Sequence, residues 1–486
     1  MRLEPADPAR PTTRSVFLLA FAGLLLIQSA WMLALPMFRG PDEIDHLLRS
    51  SNVALGHWQP AARDPDQDQR YVIADGTLAR AAEPTCELLH EDFDTTVCRP
   101  RRSLPDGTVE ILSQAARYNA AYYLIAGLPM RVENSEAGAW AVRALGALLS
   151  TLLMAWAWSL VVSRQATAWP SLAMMIATPP AVFFATTVAA PNGIGYAAGI
   201  LLWAGLLTAA RHRSSSSAPI AGAVGACTLI LTHPTGIVWV GASVLTVLVL
   251  SGWNGLKHLL TQRPRTWLGS TAAVAIAMTC ALAWNYAFQP NAFTPAAVAD
   301  APLVAETKAI PMIAHVVLWV CQTVGVMPNR FGLLWLVIYP LWLAPLAFVL
   351  LRAGRAATGR ERAAGSVALA IAVLVPAVAT VTTYETLGVS WQGRYELPLL
   401  VGIVMLAGAV LDRGAVVRRS LKVPLVVLLA GTQFMCALCL GLREARGPFD
   451  DGRPWALVLG VAAPALMGAG YLLLARASRV RSVQSE

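Results

Sequence analysis

Charge is what this 486-residue chain has least of. Asp, Glu, Lys and Arg make up 13% of it, where an ordinary soluble domain carries about a quarter. That composition excludes a typical water-facing enzyme. Glycine loops of the G-x-x-x-x-G-K type are missing, and so are G-x-S-x-G and H-E-x-x-H. Nucleotide-driven transport within the chain, a serine-hydrolase elbow and a zincin helix are therefore excluded. The seven histidines show no metal-ligand spacing. There is no series of short alternating strands, as an outer-membrane barrel needs, and no fixed-period repeat.

Cysteine is scarce as well, with seven in all. Cys227, Cys280, Cys321, Cys436 and Cys439 sit in apolar stretches and read as small packing residues. The C-x-x-C of Cys436 and Cys439 has no His or carboxylate beside it, which argues against metal or redox work. Cys86 and Cys98 are the one pair in a long polar segment. In an oxidising compartment they predict a disulfide worth ~2–4 kcal/mol; the bland alternative is two free thiols.

What is abundant is hydrocarbon: 56% of residues are hydrophobic, gathered in runs able to cross ~30 Å of bilayer core. The fold class read from this is an all-α polytopic membrane protein of about twelve spans. The first, about Ser15–Leu35, is longer than a signal-peptide core of ~7–15 residues and lacks a small-x-small cleavage site, so it reads as retained. A polar segment, 36–138, follows. Further spans lie near 139–162, 168–188, 194–210, 216–233, 235–252, 267–288, 331–352, 364–384, 396–412, 423–442 and 454–475. The apolar stretch Ala120–Met130 is too short to span and predicts a juxtamembrane or re-entrant helix. The chain thus divides into a tail (1–14), a transmembrane module (15–412), C-terminal helices (413–475) and a second tail (476–486).

The net charge of +9 is best read as orientation. With the N-terminus in the cytoplasm, every short inner loop is basic, among them those holding Arg164, Arg211, Lys257 and Arg355. Most of the acids then fall on the other side. This is the positive-inside pattern, and it is a better account of the basic balance than nucleic-acid binding. Both termini come out cytoplasmic. Segment 36–138 and the turns near 190 and 385–395 face outward.

Two clusters carry the chemistry. Gly40-Pro41-Asp42-Glu43-Ile44-Asp45-His46 packs three carboxylates and an imidazole beside the first span. Pro41 suits a first helical turn. On such a helix Asp42, Asp45 and His46 share a face, while Glu43 points roughly a hundred degrees away. A carboxylate there can serve as general base toward a hydroxyl; the bland alternative is an acidic helix cap. The second cluster is Ser390-Trp391-Gln392-Gly393-Arg394-Tyr395-Glu396-Leu397-Pro398. An arginine at the membrane edge wants an anion or a carboxylate, and its planar fork suits phosphate oxygens. Trp391 and Tyr395 suit an interface or stacking on a sugar, and Glu385 or Glu396 could instead pair with Arg394. Arg143, early in the second span, also needs a counter-ion, with Asp42 or a bound phosphate as candidates.

Pro41-Asp42-Glu43-x-x-His46 and Gln392-Gly393-Arg394-Tyr395-x-x-Pro398, with Tyr122-Tyr123, Arg143, Thr178-Pro179-Pro180 and Pro191-Asn192-Gly193 between them, resemble a family of bacterial polytopic membrane proteins of formerly unknown function. That family is similar to the GT-C glycosyltransferases, and the resemblance covers roughly 15–412. It implies a GT-C-like helical bundle with a large first extracytoplasmic loop, in the bacterial cytoplasmic (inner) membrane. It further implies inverting transfer of a sugar from a polyprenyl-phosphate donor to a glycan, lipid-linked or protein acceptor of the cell envelope. Asp42, with Glu43 beside it, takes the catalytic role. Arg394, Tyr395, Gln392 and Arg143 hold the donor phosphate. Asp45, His46, Tyr122, Tyr123 and Trp391 face acceptor or sugar. No D-x-D pair stands in the apposed loops, so neither a metal site nor a cofactor is assigned; Asp42, Glu43 and Asp45 are the residues that would recruit a divalent ion.

Two rival readings make different demands. A transporter or flippase for lipid-linked glycans requires interrupted spans and charge deep at the midplane. A non-catalytic assembly protein would use 36–138 as its binding surface and would tolerate loss of the Asp42 carboxylate.

Overall fold

Apolar runs become helices where a cap opens them and a proline closes them. The Thr12 side chain accepts from the Ser15 N–H at 3.1 Å and starts α1 (Thr13–Ala34), which stops just before Pro36. The computed structural model describes residues 12–59, 70–89, 107–212, 215, 217–288, 309–328, 332–387, 391–414, 417, 419–445 and 453–478. It is an all-α polytopic membrane protein, with one small sheet among the described residues. After α1 come α2 (Glu43–Ala54), β1 (Arg70–Asp75), α3 (Gly76–Leu89), β2 (Thr108–Ser113), α4 (Ala120–Ala126) and α5 (Glu136–Val162). Next are α6 (Trp169–Ile176), α7 (Pro180–Thr186), α8 (Pro191–Arg211), α9 (Ser217–Thr232), α10 (Gly236–Gln262) and α11 (Pro264–Phe288). The chain continues with α12 (Ala309–Val324), α13 (Ile338–Ala356), α14 (Gly359–Leu387), α15 (Leu397–Leu411) and α16 (Arg419–Ala445). A final helix, Trp455–Ala477, packs back on α1.

Among the described residues nine helices are long and apolar enough to cross a membrane. Three of the runs expected to span differ. The run at 168–188 is broken: Pro179 and Pro180 cannot continue the ladder, and α6 and α7 stand on either side of them. The run at 216–233 forms α9, with 16 residues. The run at 331–352 forms α13, shifted to Ile338–Ala356 and carrying Arg352 and Arg355 near its end. α8 is the most deeply buried of the nine and packs against α5, α9 and α15.

The polar segment after α1 holds its own small core. β1 and β2 pair antiparallel, Arg70 opposite Ser113 and Asp75 opposite Thr108. Val72, Ala74, Val109 and Ile111 are buried under α2 with Leu47 and Tyr123. The expected short helix at Ala120–Met130 is α4, capped by the Asn119 side chain at the Ala121 N–H (2.8 Å). Cys98 and the side chain of Cys86 lie outside the described residues, and with them the expected disulfide.

Candidate active site at one end of the bundle

The corner after α1 is built on a buried ion pair. Arg143 Nε donates to Glu43 Oε1 at 2.6 Å and Nη2 to Oε2 at 2.5 Å, with both side chains sealed from solvent. The guanidinium also donates to the Leu35 and Pro36 carbonyls at 2.9 and 2.7 Å. Glu43 accepts in addition from the backbone N–H groups of Ala189 (2.9 Å) and Gly40 (3.1 Å). One carboxylate thus ties together the end of α1, the 36–42 turn, α5 and the turn before α8. Gly40 is required here, because a Cβ would lie 2.5 Å from Val188. The expectation that Arg143 holds a donor phosphate is corrected by this geometry. Its nitrogens are already engaged, and Glu43 has no free oxygen to act as a base.

That clamp leaves Asp42 outside. Asp42 is the N-cap of α2 and not part of its first turn; its φ is +56°, in the left-handed region. Non-glycine residues adopt that conformation at a cost, and it collects at functional sites. The carboxylate is solvent-exposed and, among the described residues, accepts no hydrogen bond. The shared helical face expected for Asp42, Asp45 and His46 is therefore not formed.

Asp45 and His46 lie beneath it. Asp45 Oδ1 accepts from the Gln114 N–H at 3.0 Å. Burial pushes its carboxyl up to about 7; the Asp42 charge adds to this, while Ser113, the Gln114 N–H and Arg117 oppose it. His46 Nδ1 is 2.7 Å from the Tyr123 hydroxyl, and its ring meets Tyr118 edge-on at 5.1 Å. Burial pulls the imidazole down to about 4, against the charges of Asp42 and Glu43, so it is neutral at ordinary pH. Tyr122 and Tyr123 are buried in the same small core. These four residues support the corner from below; none of them lines the cavity described next.

The second cluster folds as a single turn of 3-10 helix, Gly393–Glu396, at the start of α15. Only glycine fits at 393, where a Cβ would meet the Trp319 carbonyl oxygen at 2.0 Å. The Gly393 N–H donates to Gln322 Oε1 at 2.7 Å. The Trp391 indole donates to Glu396 at 3.0 Å and is buried, which removes it from sugar stacking and engages Glu396, one of the two candidate partners of Arg394, elsewhere. The side chain of Glu385 lies outside the described residues. Gln392 Nε2 donates to the Tyr395 hydroxyl at 2.9 Å, and the Arg394 guanidinium carbon lies 5.9 Å from the Tyr395 ring centre. Arg394 Nε is buried without a partner.

The two clusters meet at a cavity of about 30 Å³ lined by Pro41, Val188, Asn192, Tyr196, Gln322 and Arg394, among others. The Asp42 charge acts on both Arg394 and Tyr118. Asp42 and Arg394, some 350 positions apart, are thus brought to one place, whereas Glu43, Arg143 and Trp391 are withdrawn into structural contacts. Tyr196, Asn192, Gln322 and the nearby His233 were not anticipated as site residues. Asn192 stands in the Pro191-Asn192-Gly193 motif and His233 in a His-Pro-Thr turn between two apolar runs, but neither pattern assigns a site role.

No curated protein matches the chain. Two solved structures resemble it. ArnT from Cupriavidus metallidurans bound to undecaprenyl phosphate is 15% identical, covering 94% of this chain and 76% of that one, with a TM-score of 0.47. The apo state of the same protein is 15% identical over 88% and 74%, with a TM-score of 0.41. By sequence, residues 25–403 match the family described as Predicted membrane protein (DUF2142). That match spans well over half of the chain, which therefore belongs to this family.

Proposed function

We propose that the protein is an inverting membrane glycosyltransferase of GT-C type, moving a sugar from a polyprenyl phosphate to a cell-envelope acceptor. The observation that carries this is an exposed, strained Asp42 that accepts no hydrogen bond among the described residues, its charge acting on a half-buried Arg394 whose Nε has no partner and which lines one cavity with Pro41. A carboxylate and a cation at one end of the bundle, each with hydrogen-bonding capacity to spare, suit a reaction that removes a proton and releases a phosphate. Asp42 takes the proton of the acceptor hydroxyl as that oxygen attacks the anomeric carbon. The bond from this carbon to the phosphate oxygen breaks, and the polyprenyl phosphate leaves with its electron pair. Arg394 stabilises the charge that develops there, and positioning contributes most of the remaining acceleration.

The resemblance of the two motifs to GT-C-like proteins supports the same reading. So does the charge asymmetry, which fits a reading in which this end of the bundle faces outward from an inner membrane and both termini are cytoplasmic. At the far ends of α8 and α15, Arg211 and Arg413 gather on Glu361. Glu43 and Arg143 hold the corner in shape, and Tyr395 and Gln392 shape the phosphate end.

The test is incorporation of labelled sugar from a panel of polyprenyl-phosphate sugars into envelope acceptors by the purified protein. Transfer that needs both Asp42 and Arg394 is the expected result. Transfer that survives Asp42→Asn together with Arg394→Ala would overturn the assigned roles.

A further inference from the structure

Four buried side-chain atoms without a hydrogen-bond partner gather around Tyr395. They are Arg394 Nε, Gln392 Oε1, the Tyr196 hydroxyl and His233 Nε2. Gln392 and Arg394 flank the Tyr395 phenol directly. The His233 ring is 6.3 Å from the Tyr395 ring and 6.1 Å from that of Tyr196. Tyr196 lines the same cavity as Arg394. Native chains leave few such atoms unsatisfied, because the desolvation cost is not recovered. A cluster of four points to a partner that comes from outside the chain.

The chemistry of that partner follows from which atoms donate. The Thr235 backbone N–H can only donate, and it lies 3.3 Å from His233 Nδ1, with the Thr235 hydroxyl at 3.0 Å. Nδ1 is therefore the acceptor, and a neutral ring carries its proton on Nε2. Burial keeps the ring neutral by pulling it down to about 4. His233 Nε2 and Arg394 Nε are thus orphan donors, the Tyr196 hydroxyl can donate, and Gln392 Oε1 is an orphan acceptor. The complement is a group with several acceptor oxygens next to a hydroxyl.

We propose that His233 Nε2 and the Tyr196 hydroxyl join Arg394 in binding the phosphate oxygens of a glycosyl phosphate, while Gln392 Oε1 accepts from a sugar hydroxyl; the cavity, at about 30 Å³ the room of one water, widens to admit the ligand. This rests on the glycosyl-transfer reading above and adds two residues to the site. His233 supplies a neutral donor, so the site gains a hydrogen bond to phosphate without a second charge.

The test is binding of a radiolabelled polyprenyl phosphate to the full-length protein in nanodiscs. His233→Ala and Tyr196→Phe should each weaken binding about tenfold, the effect of one hydrogen bond to a charged group. His233→Gln places an amide N–H near the Nε2 position and should restore most of the affinity. Tyr196→Phe should leave the thermal unfolding of the ligand-free protein unchanged, because its hydroxyl has no partner to lose; it carries the test should the His233 variants fold poorly. Soluble hexose 1-phosphate should displace the lipid better than inorganic phosphate does, and equal competition overturns the part given to Gln392. Wild-type affinity in both Tyr196→Phe and His233→Ala overturns the assignment and leaves Asp42 and Arg394 standing. Failure of the wild type to bind the lipid phosphate overturns both readings.

Discussion

Arg143 and Arg394 belong to the same end of the bundle, and the protein treats them in opposite ways. Arg143 is met by a bidentate carboxylate and two carbonyls. Arg394 has its Nε buried with nothing to donate to. Their acidic neighbours divide likewise. Glu43 is sealed and shared among four donors on three parts of the chain, while Asp42, one residue earlier, is exposed in a left-handed conformation. A buried ion pair adds little net stability but is costly to break. The closed pair therefore serves as a scaffold whose loss reads out in folding. The open pair should read out in activity alone, and that difference is what substitutions can test.

The largest effect belongs to the open pair. Asp42→Asn is expected to slow sugar transfer by about 10²- to 10⁴-fold, the range for loss of a general base. It should leave the thermal unfolding curve in place, since asparagine also tolerates a left-handed backbone. Rate and melting temperature measured on one preparation check this; a variant that is active but unstable would erase the distinction between the two carboxylates. Next comes the closed pair. Arg143→Ala leaves Glu43 charged and buried, and should cost about 3–5 kcal/mol of stability, visible as a fall in the denaturation midpoint and in folded yield.

How far this division was legible in the sequence depends on distance along the chain. The apolar runs announced the helical membrane fold, and the charge density at 40–46 and the Gln392-Gly393-Arg394-Tyr395 turn announced both ends of the site. The assignments within 40–46 were not legible. Helical spacing grouped Asp42 with Asp45 and His46 because Pro41 reads as a first helical position. The backbone instead turns left-handed at Asp42 and starts the helix one residue later. Arg143 stands 100 positions from Glu43, and no local pattern could choose between that carboxylate, Asp42 and a bound phosphate. The break between α6 and α7 is written in Pro179-Pro180, but the apolar run 168–188 passes through it without a charged interruption. His233 and Tyr196 carry no motif. Only the packing shows that their polar atoms lack partners.

Asp45 supplies a smaller effect with a definite sign. Its carboxyl titrates near 3.8 when free and is pushed up to about 7 in the fold by burial. Between those values the folded state binds the proton and the unfolded state does not, so its stabilising contribution is complete below about 4 and is lost as pH rises through 7. Asp45→Asn stays neutral and can still accept from the Gln114 N–H. It should flatten this part of the stability–pH curve, gaining on the wild type between pH 4 and pH 8 by up to about 4 kcal/mol. Denaturation midpoints at the two pH values measure the slope; identical slopes would mean that Asp45 is ionised in the fold and belongs with the open carboxylate.

The smallest effect compares two tyrosines that share one feature, a buried hydroxyl without a partner. Tyr196 lines the cavity with Arg394. Tyr122 lies in the small core under α2, packed edge-on against Tyr123 at 5.0 Å. An orphan hydroxyl in a core is a burden that the fold carries, so Tyr122→Phe should be neutral or stabilising by less than about 1 kcal/mol. Sugar transfer and lipid-phosphate binding should remain at wild-type level. Tyr196→Phe should be equally silent in unfolding but not in binding. If Tyr122→Phe weakens lipid binding as much as Tyr196→Phe does, the open region extends down into the small core, and the boundary between scaffold and site has been drawn too close to the cavity.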